Sequence, residues 1–155
     1  MRTQEKACPT ILVVEDEPEA RLLLRMFLEP QGYRVIETHC GDAAISLAQA
    51  HRPQVMLLDV LLSGGLNGVQ VYHRLKGKSS TRQIPIIFLT ATAPSGSVST
   101  PQLPLGERCV VLGKPFDWHR LHEEIQQLLR RSSPTVFSVP ASSHVERDPT
   151  TGEFR

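Results

Sequence analysis

The sequence predicts an α/β protein: a doubly wound sheet of five parallel strands with helices on both faces. Three observations predict it. Short apolar runs recur five times along the 155 residues, with helical segments between most of them, and such alternation is the signature of this layering. The third run, Val55-Met56-Leu57-Leu58-Asp59, is apolar up to its last residue instead of alternating, as in a strand covered on both faces. Polar side chains then gather at the carboxyl ends of the runs, where open parallel sheets bind their ligands.

Each element has its own signals. Ile11-Leu12-Val13-Val14 is the first strand, and Glu15-Asp16-Glu17 follows it. From Pro18 the apolar residues, Leu23 and Phe27 among them, fall at helical spacing. Pro18 suits a first turn, and Pro30 with Gly32 ends the helix. Tyr33 to Glu37 reads as a strand, and Gly41 to His51 as an Ala-rich helix that Asp42 is placed to cap. After the third strand, the Gly-rich loop Ser63 to Gly68 leads into a helix from Val69 to Lys76. Pro85 to Thr90 is the fourth strand and Cys109 to Leu112 the fifth. Asp117 caps a last helix in which Leu121, Ile125, Leu128 and Leu129 share one face.

One segment resists the alternation. Ala93 to Leu105 lies where a fourth helix belongs, yet carries Pro94, Pro101 and Pro104 among Ser95, Ser97 and Ser99. These residues predict a helix shortened or replaced by a loop. The expected organisation is a flexible N-terminus over 1–9, one folded domain over 10–131, and a flexible Ser/Thr/Pro-rich tail over 132–155.

Composition narrows the function. With 17 basic against 16 acidic side chains and a net charge of +1, the chain has no long-range field for gripping nucleic acid or an anionic membrane. Neither partner is expected. The polar N-terminus lacks the apolar stretch of a signal peptide, and no apolar run approaches bilayer length. Cys8, Cys40 and Cys109 have no metal-ligand spacing and read as free thiols of a reducing compartment, so a cytoplasmic location is expected.

The chemistry lies at the strand ends. Strand one ends in Glu15 and Asp16, strand three in Asp59, strand four in Thr90, and Lys114 closely follows strand five. Singly, each has a structural explanation. Asp16 or Glu17 can cap the first helix, Asp59 can bond loop amides, Thr90 is an ordinary strand residue, and Lys114-Pro115 can form a turn. Together, at the ends of four strands of one sheet, they call for a ligand. Neighbouring carboxylates repel unless a cation neutralises them. Oxygen-only ligands suit a hard cation, and Mg²⁺ binds through one or two carboxylates, waters and a phosphate oxygen. A carboxylate beside it can attack phosphorus, with Lys114 and the Thr90 hydroxyl answering the phosphoryl oxygens.

Other polar features carry less. His119 and His122 are three apart on the last helix, but without a third ligand they read as exposed side chains. His51 and His73 carry no motif, and Lys76, Lys78 and Arg82 read as a solvated basic edge. Arg130 and Arg131 close the last helix, where cations favour its dipole.

Over residues 10–131 the chain resembles the receiver domain of bacterial response regulators, the CheY-like, single-domain type with a flavodoxin-like sheet. The matching motifs are VVEDEP after strand one, LLDV around Asp59, Asn67-Gly68 before the third helix, FLTA ending strand four, and GKPF after strand five. The resemblance implies that Glu15 and Asp16 are the metal-binding acidic pair and Asp59 the phosphorylated residue. Leu61 would lend its backbone carbonyl to the metal, and Thr90 and Lys114 would contact the phosphoryl group. It also implies a cis bond to Pro115, and a small residue at Ala91 that leaves the phosphoryl group approachable. The implied partner is a histidine kinase or phosphotransfer protein. Such a domain catalyses its own phosphorylation and hydrolysis but does not turn over an outside substrate as its role.

The chain departs from the pattern in places. Glu15 replaces the commoner Asp, Ser63 stands where proline is frequent, and the loop from Asp59 to Gly68 is one residue longer than usual. Val111 stands where many receivers have Tyr or Phe, so the usual threonine-to-aromatic relay cannot run in its ordinary form. Signalling is therefore expected through an unusual protein contact, with homodimerisation as one form. No DNA-binding or catalytic effector is expected in 132–155. Two alternatives remain: a pseudo-receiver that keeps the fold without switching, which Val111 and the Pro/Ser-rich loop favour and the complete acidic pair, Asp59, Thr90 and Lys114 oppose, and a Mg²⁺-dependent hydrolase with an aspartyl nucleophile. The hydrolase reading is set aside because Leu61 stands where its second aspartate belongs.

Overall fold

The structure is a computed structural model, and it describes residues 8–91 and 108–132. Five strands are present: β1 Thr10–Val14, β2 Arg34–Thr38, β3 Val55–Asp59, β4 Ile86–Ala91 and β5 Cys109–Lys114. The helices are α1 Pro18–Leu28, extended by a 3₁₀ turn over Glu29–Gln31, α2 Gly41–His51, α3 Gly68–Lys76 and α4 Trp118–Ser132. All neighbouring strands are parallel, in the order β2-β1-β3-β4-β5. This is the doubly wound sheet expected. The shortened or missing helix expected over 93–105 lies outside the described residues, as do the 1–7 end of the N-terminus and the tail from 133.

The two sides of the sheet follow from the strand period of two. Leu12 and Val14 of β1, Met56 and Leu58 of β3, and Ile86 and Phe88 of β4 face one core. Ala44, Ile45 and Ala48 of α2 and Val71, Tyr72 and Leu75 of α3 cover it. Ile11 and Val13, Val55 and Leu57, Ile87 and Leu89 face the other, under Leu24 and Leu28 of α1 and Leu121, Ile125 and Leu128 of α4. The central strands are buried on both faces, which is why β3 reads as an unbroken apolar run.

Several local expectations are corrected. On α1 the buried residues are Leu24 and Leu28, while Leu23 is exposed along with Leu22 and Met26. A run of three leucines, with Met-Phe-Leu soon after, leaves the helical phase ambiguous, and packing onto the sheet selects it. Asp42 does not cap α2: Cys40 is its N-cap residue and no side chain bonds there. Glu17 likewise precedes Pro18 at the start of α1 without a capping bond. Asp117 does cap α4, its Oδ1 accepting from the His119 N–H at 2.8 Å. His122 is half-buried, not exposed. Its Nε2 lies 3.1 Å from the Tyr33 hydroxyl and its ring meets Phe27 and Tyr33 edge-on. Lys76 is no solvated edge either, since its Nζ donates to the Arg82 carbonyl at 2.9 Å beside the Tyr72 ring.

The loop after β3 reaches α3 through a capping box. Asn67 Oδ1 accepts from the Gln70 N–H at 2.9 Å, and Gln70 Oε1 accepts from the Asn67 N–H at 2.9 Å. Asn67→Ala removes one of these bonds and should cost about 1 kcal/mol of stability, read as a lower urea midpoint at unchanged slope.

Candidate functional site

Strand order reverses between β1 and β3, because the chain runs outward from β1 to β2 and then returns past β1 to β3. Side chains at the carboxyl ends of these two strands therefore meet at the rim. Glu15 and Asp16 follow β1 and Asp59 ends β3, and one carboxylate oxygen from each lies within 4.8 Å of the others. Asp59 is buried, Glu15 is 1% exposed and Asp16 is half-exposed. Lys114, at the end of β5, reaches across β4 to them. Its Nζ donates to Glu15 Oε2 at 2.7 Å and to Asp59 Oδ2 at 3.3 Å.

Side-chain and backbone donors hold the acidic residues in place. Arg21 of α1 donates from Nη1 to the carbonyls of Glu15 at 2.9 Å and Asp16 at 3.2 Å. Asp59 Oδ1 accepts from the Leu61 N–H at 3.0 Å, while the Leu61 side chain is exposed. Ser63 donates to Asp16 Oδ2 from its hydroxyl at 2.8 Å and from its backbone N–H at 3.2 Å. Gly68 packs against the strand end itself: a Cβ there would collide with the Asp59 carbonyl oxygen and lie 2.9 Å from Val60 Cα. Gly68→Ala should displace the Asp59 backbone and lower both the urea midpoint and any Mg²⁺ affinity, a combined loss that a mere helix-propensity effect would not produce.

Burial and polar partners compete in the electrostatics of the cluster. Burial pushes the Glu15 carboxyl above its ordinary value, with the Asp59 charge adding to the rise and the Lys114 hydrogen bond opposing it. The Ser63 hydroxyl holds Asp16 below the ordinary carboxylate value despite some burial. Burial works against the Lys114 ammonium, but its hydrogen bond to Glu15 and the charges of Asp59 and Glu15 outweigh it and raise the net value. Three carboxylates thus face one ammonium. An all-oxygen donor set with surplus negative charge fits a hard divalent cation such as Mg²⁺.

Thr90 and Ala91 end β4, with Ala91 paired to Lys114 and exposed. The Lys114–Pro115 bond is cis. Val111 sits mid-β5 opposite Phe88 and packs, half-buried, against the core that includes Tyr72 and Phe88. The rim thus brings Glu15, Asp16, Asp59 and Lys114 into direct or near contact, while Val111 lies further back on its strand. Sequence reasoning missed Arg21, which looked like an ordinary helix surface residue, and noted Ser63 only as a departure. The Ser63 bonds could not be found without the fold, since Ser63 lies 47 residues from its partner; Arg21 is local, six and five residues from the carbonyls it meets. Beside the carboxylates runs a cleft of about 240 Å³ with Ala20, Leu23, Phe116 and Trp118 on its apolar wall. Among the described residues no helix is long and apolar enough to cross a membrane.

Comparisons with known proteins identify the family and the fold. The family described as the response regulator receiver domain matches residues 11–126. The phosphate regulon transcriptional regulatory protein PhoB of Rhizobium meliloti (strain 1021) is 36% identical over 131 residues, 84% of this chain and 56% of that protein. The polar-differentiation response regulator DivK of Brucella anthropi is 32% identical over 120 residues, 77% of this chain and 95% of that protein. The solved receiver domain of a sensor histidine kinase from Pseudomonas aeruginosa PAO1, described with a magnesium ion coordinated in its active-site cleft, aligns with a TM-score of 0.70. It is 30% identical, and the alignment covers 80% of this chain and 99% of that one. The chain spans a little over half the length of the PhoB relatives it matches, 56% in the first.

Proposed function

We propose, from the premise that the chain belongs to the response regulator receiver domain family, that it accepts a phosphoryl group on Asp59 in a two-component or phosphorelay pathway of the cytoplasm. The observation that carries this reading is the cluster of Glu15, Asp16 and Asp59 with Lys114 Nζ bonded to two of them. Glu15, Asp16, Asp59 and the Leu61 carbonyl are the groups that would hold Mg²⁺, and what Mg²⁺ supplies when bound is positive charge against the phosphoryl oxygens.

The remaining chemistry belongs to the chain. An Asp59 carboxylate oxygen attacks phosphorus, forming an O–P bond as the bond to the donor's leaving group breaks. With a phosphohistidine donor the electron pair of the P–N bond returns to the imidazole, which takes up a proton. Lys114 is already in contact with Asp59 and transfers its hydrogen bonding to a phosphoryl oxygen, while the Thr90 hydroxyl donates to another. Ala91 leaves the approach open. The donor is a histidine kinase or phosphotransfer protein. Exposed Leu22, Leu23 and Met26 of α1, beside the apolar cleft, offer it a docking face.

The output is a protein–protein contact of atypical form. Val111 is packed into the Phe88 core and has no ring to swing inward, so phosphorylation must be read out by another surface. Incubation with acetyl phosphate and Mg²⁺ tests the reading, with intact mass as the readout. One added phosphoryl group, dependent on Mg²⁺, is the expected result, and an unmodified folded chain would favour a pseudo-receiver. Sedimentation with and without beryllofluoride then shows whether a second copy of the chain is the phosphorylation-dependent partner.

A further inference from the structure

We infer that Ser63 is a positioning residue of the metal site, holding Asp16 so that it offers a cation only one carboxylate oxygen, and that this biases the site toward Mg²⁺ and against Ca²⁺. The inference rests on the Mg²⁺ reading above. Its basis is a two-point grip. The Ser63 hydroxyl at 2.8 Å and the Ser63 backbone N–H at 3.2 Å both donate to the same oxygen, Asp16 Oδ2.

A carboxylate oxygen has about two acceptor positions. Two donors on Oδ2 fill it and fix the rotation of the group, which leaves Oδ1 to a cation. Packing leaves the Asp16 carboxylate free to turn, since the residue is half-exposed and lies two positions beyond the end of β1, and Arg21 holds only its backbone carbonyl. Ser63 is placed by the chain immediately after it: Gly64 at φ 70° and Gly65 at φ 140° turn the loop in conformations that favour glycine. A proline at 63 would have neither a hydroxyl nor an N–H to give, so this grip belongs to the serine.

The consequence for metal choice is geometric. Mg²⁺ demands near-ideal octahedral geometry with short bonds and takes single oxygens plus waters. Ca²⁺ takes more ligands at longer range and accepts both oxygens of one carboxylate. A carboxylate locked to one free oxygen suits the first and denies the second a bidentate ligand. Hydrogen-bond partners of metal ligands commonly change affinity about 10–100-fold when removed.

Mg²⁺ and Ca²⁺ titrations of the wild type, Ser63→Ala, Ser63→Pro and Ser63→Thr provide the test. Binding is read by fluorescence of Trp118, the single tryptophan, which lines the cleft with Glu15 and Lys114, and by calorimetry. Ser63→Ala keeps the N–H and should weaken Mg²⁺ binding about tenfold, at the low end for such partners. Ser63→Pro should weaken it further, and both should lower the Mg²⁺-to-Ca²⁺ affinity ratio, while Ser63→Thr restores it. Ser63 is exposed, so Ser63→Ala should lose only the single bond to Asp16 and stay folded, with a urea midpoint slightly below the wild type, which keeps the comparison valid if Ser63→Pro folds poorly. Unchanged affinity and ratio in Ser63→Ala and Ser63→Pro would overturn the role of Ser63 alone. A folded wild type that binds no Mg²⁺ by either method would overturn the metal reading, and this inference with it.

Discussion

Asp59→Asn should abolish phosphoryl uptake from acetyl phosphate while leaving the fold intact. The amide is close in shape to the carboxylate, and its oxygen can still accept the Leu61 N–H that now bonds Asp59 Oδ1 at 3.0 Å. What it lacks is a charged oxygen able to attack phosphorus. Loss of a reacting group of this kind costs at least about a thousandfold in rate, so no phosphoryl group should be found by intact mass after exposures that modify the wild type fully. Stability should hold or rise slightly in the absence of metal, because one of three crowded carboxylates has become neutral. Undiminished labelling of Asp59→Asn would move the acceptor elsewhere and remove the central claim about this residue.

Lys114→Met should have the largest effect on stability. The Lys114 side chain is 27% exposed, but its ammonium contacts the side chains of Glu15, 1% exposed, and Asp59, 8% exposed. Removing one member of a buried pair leaves the others uncompensated, at about 3 kcal/mol for a pair with this partial access to water. The loss should appear in EDTA as a lower urea midpoint. Mg²⁺ should return much of it, since a cation at 100 times its dissociation constant contributes about 2.7 kcal/mol, and that gain should exceed the gain in the wild type. Phosphorylation should slow by about a hundredfold or more, because a preorganised positive group facing the phosphoryl oxygens is gone. A variant as stable as the wild type in EDTA would mean that the ammonium does not neutralise the cluster.

The same variant has a defined pH signature. Burial already raises the Glu15 carboxyl, and the Lys114 hydrogen bond holds the rise in check. An acid raised in the folded state contributes stability that is full below its unfolded value and lost as pH rises through its folded value. Without Lys114 the folded value climbs further. Metal-free Lys114→Met should therefore gain stability relative to the wild type as pH falls from neutrality toward the ordinary carboxylate range.

How much of this was legible beforehand follows from how local each signal is. The five strands could be read because buried parallel strands need apolar residues on both faces, so Val55 to Leu58 declared itself. The phase of α1 could not be read. Leu22, Leu23 and Leu24 are equivalent by composition, and only packing onto the sheet buries Leu24 while the other two stay exposed. The cap expected from Asp42 failed because the start of α2 is set by packing: a Cβ at Gly41 would come within 2.6 Å of the Leu66 carbonyl oxygen. His122 looked exposed until Tyr33 and Phe27 closed over it, and Lys76 looked solvated until the chain at Arg82 folded back to take its ammonium.

The sequence by itself determined the order of strands and helices, the residue types at the strand ends, and the chemistry open to them: three carboxylates, a hydroxyl and an ammonium. These rest on periodicity and on functional-group chemistry, both properties of short stretches of chain. The tertiary structure alone decided which oxygen meets which donor. The reversal of strand order brings Asp59 beside Glu15, β5 carries Lys114 to both, and the turn at Gly64 and Gly65 lays Ser63 on Asp16. Hydrogen bonds act over about 3 Å, and no pattern along the chain specifies a separation that small between residues far apart in it.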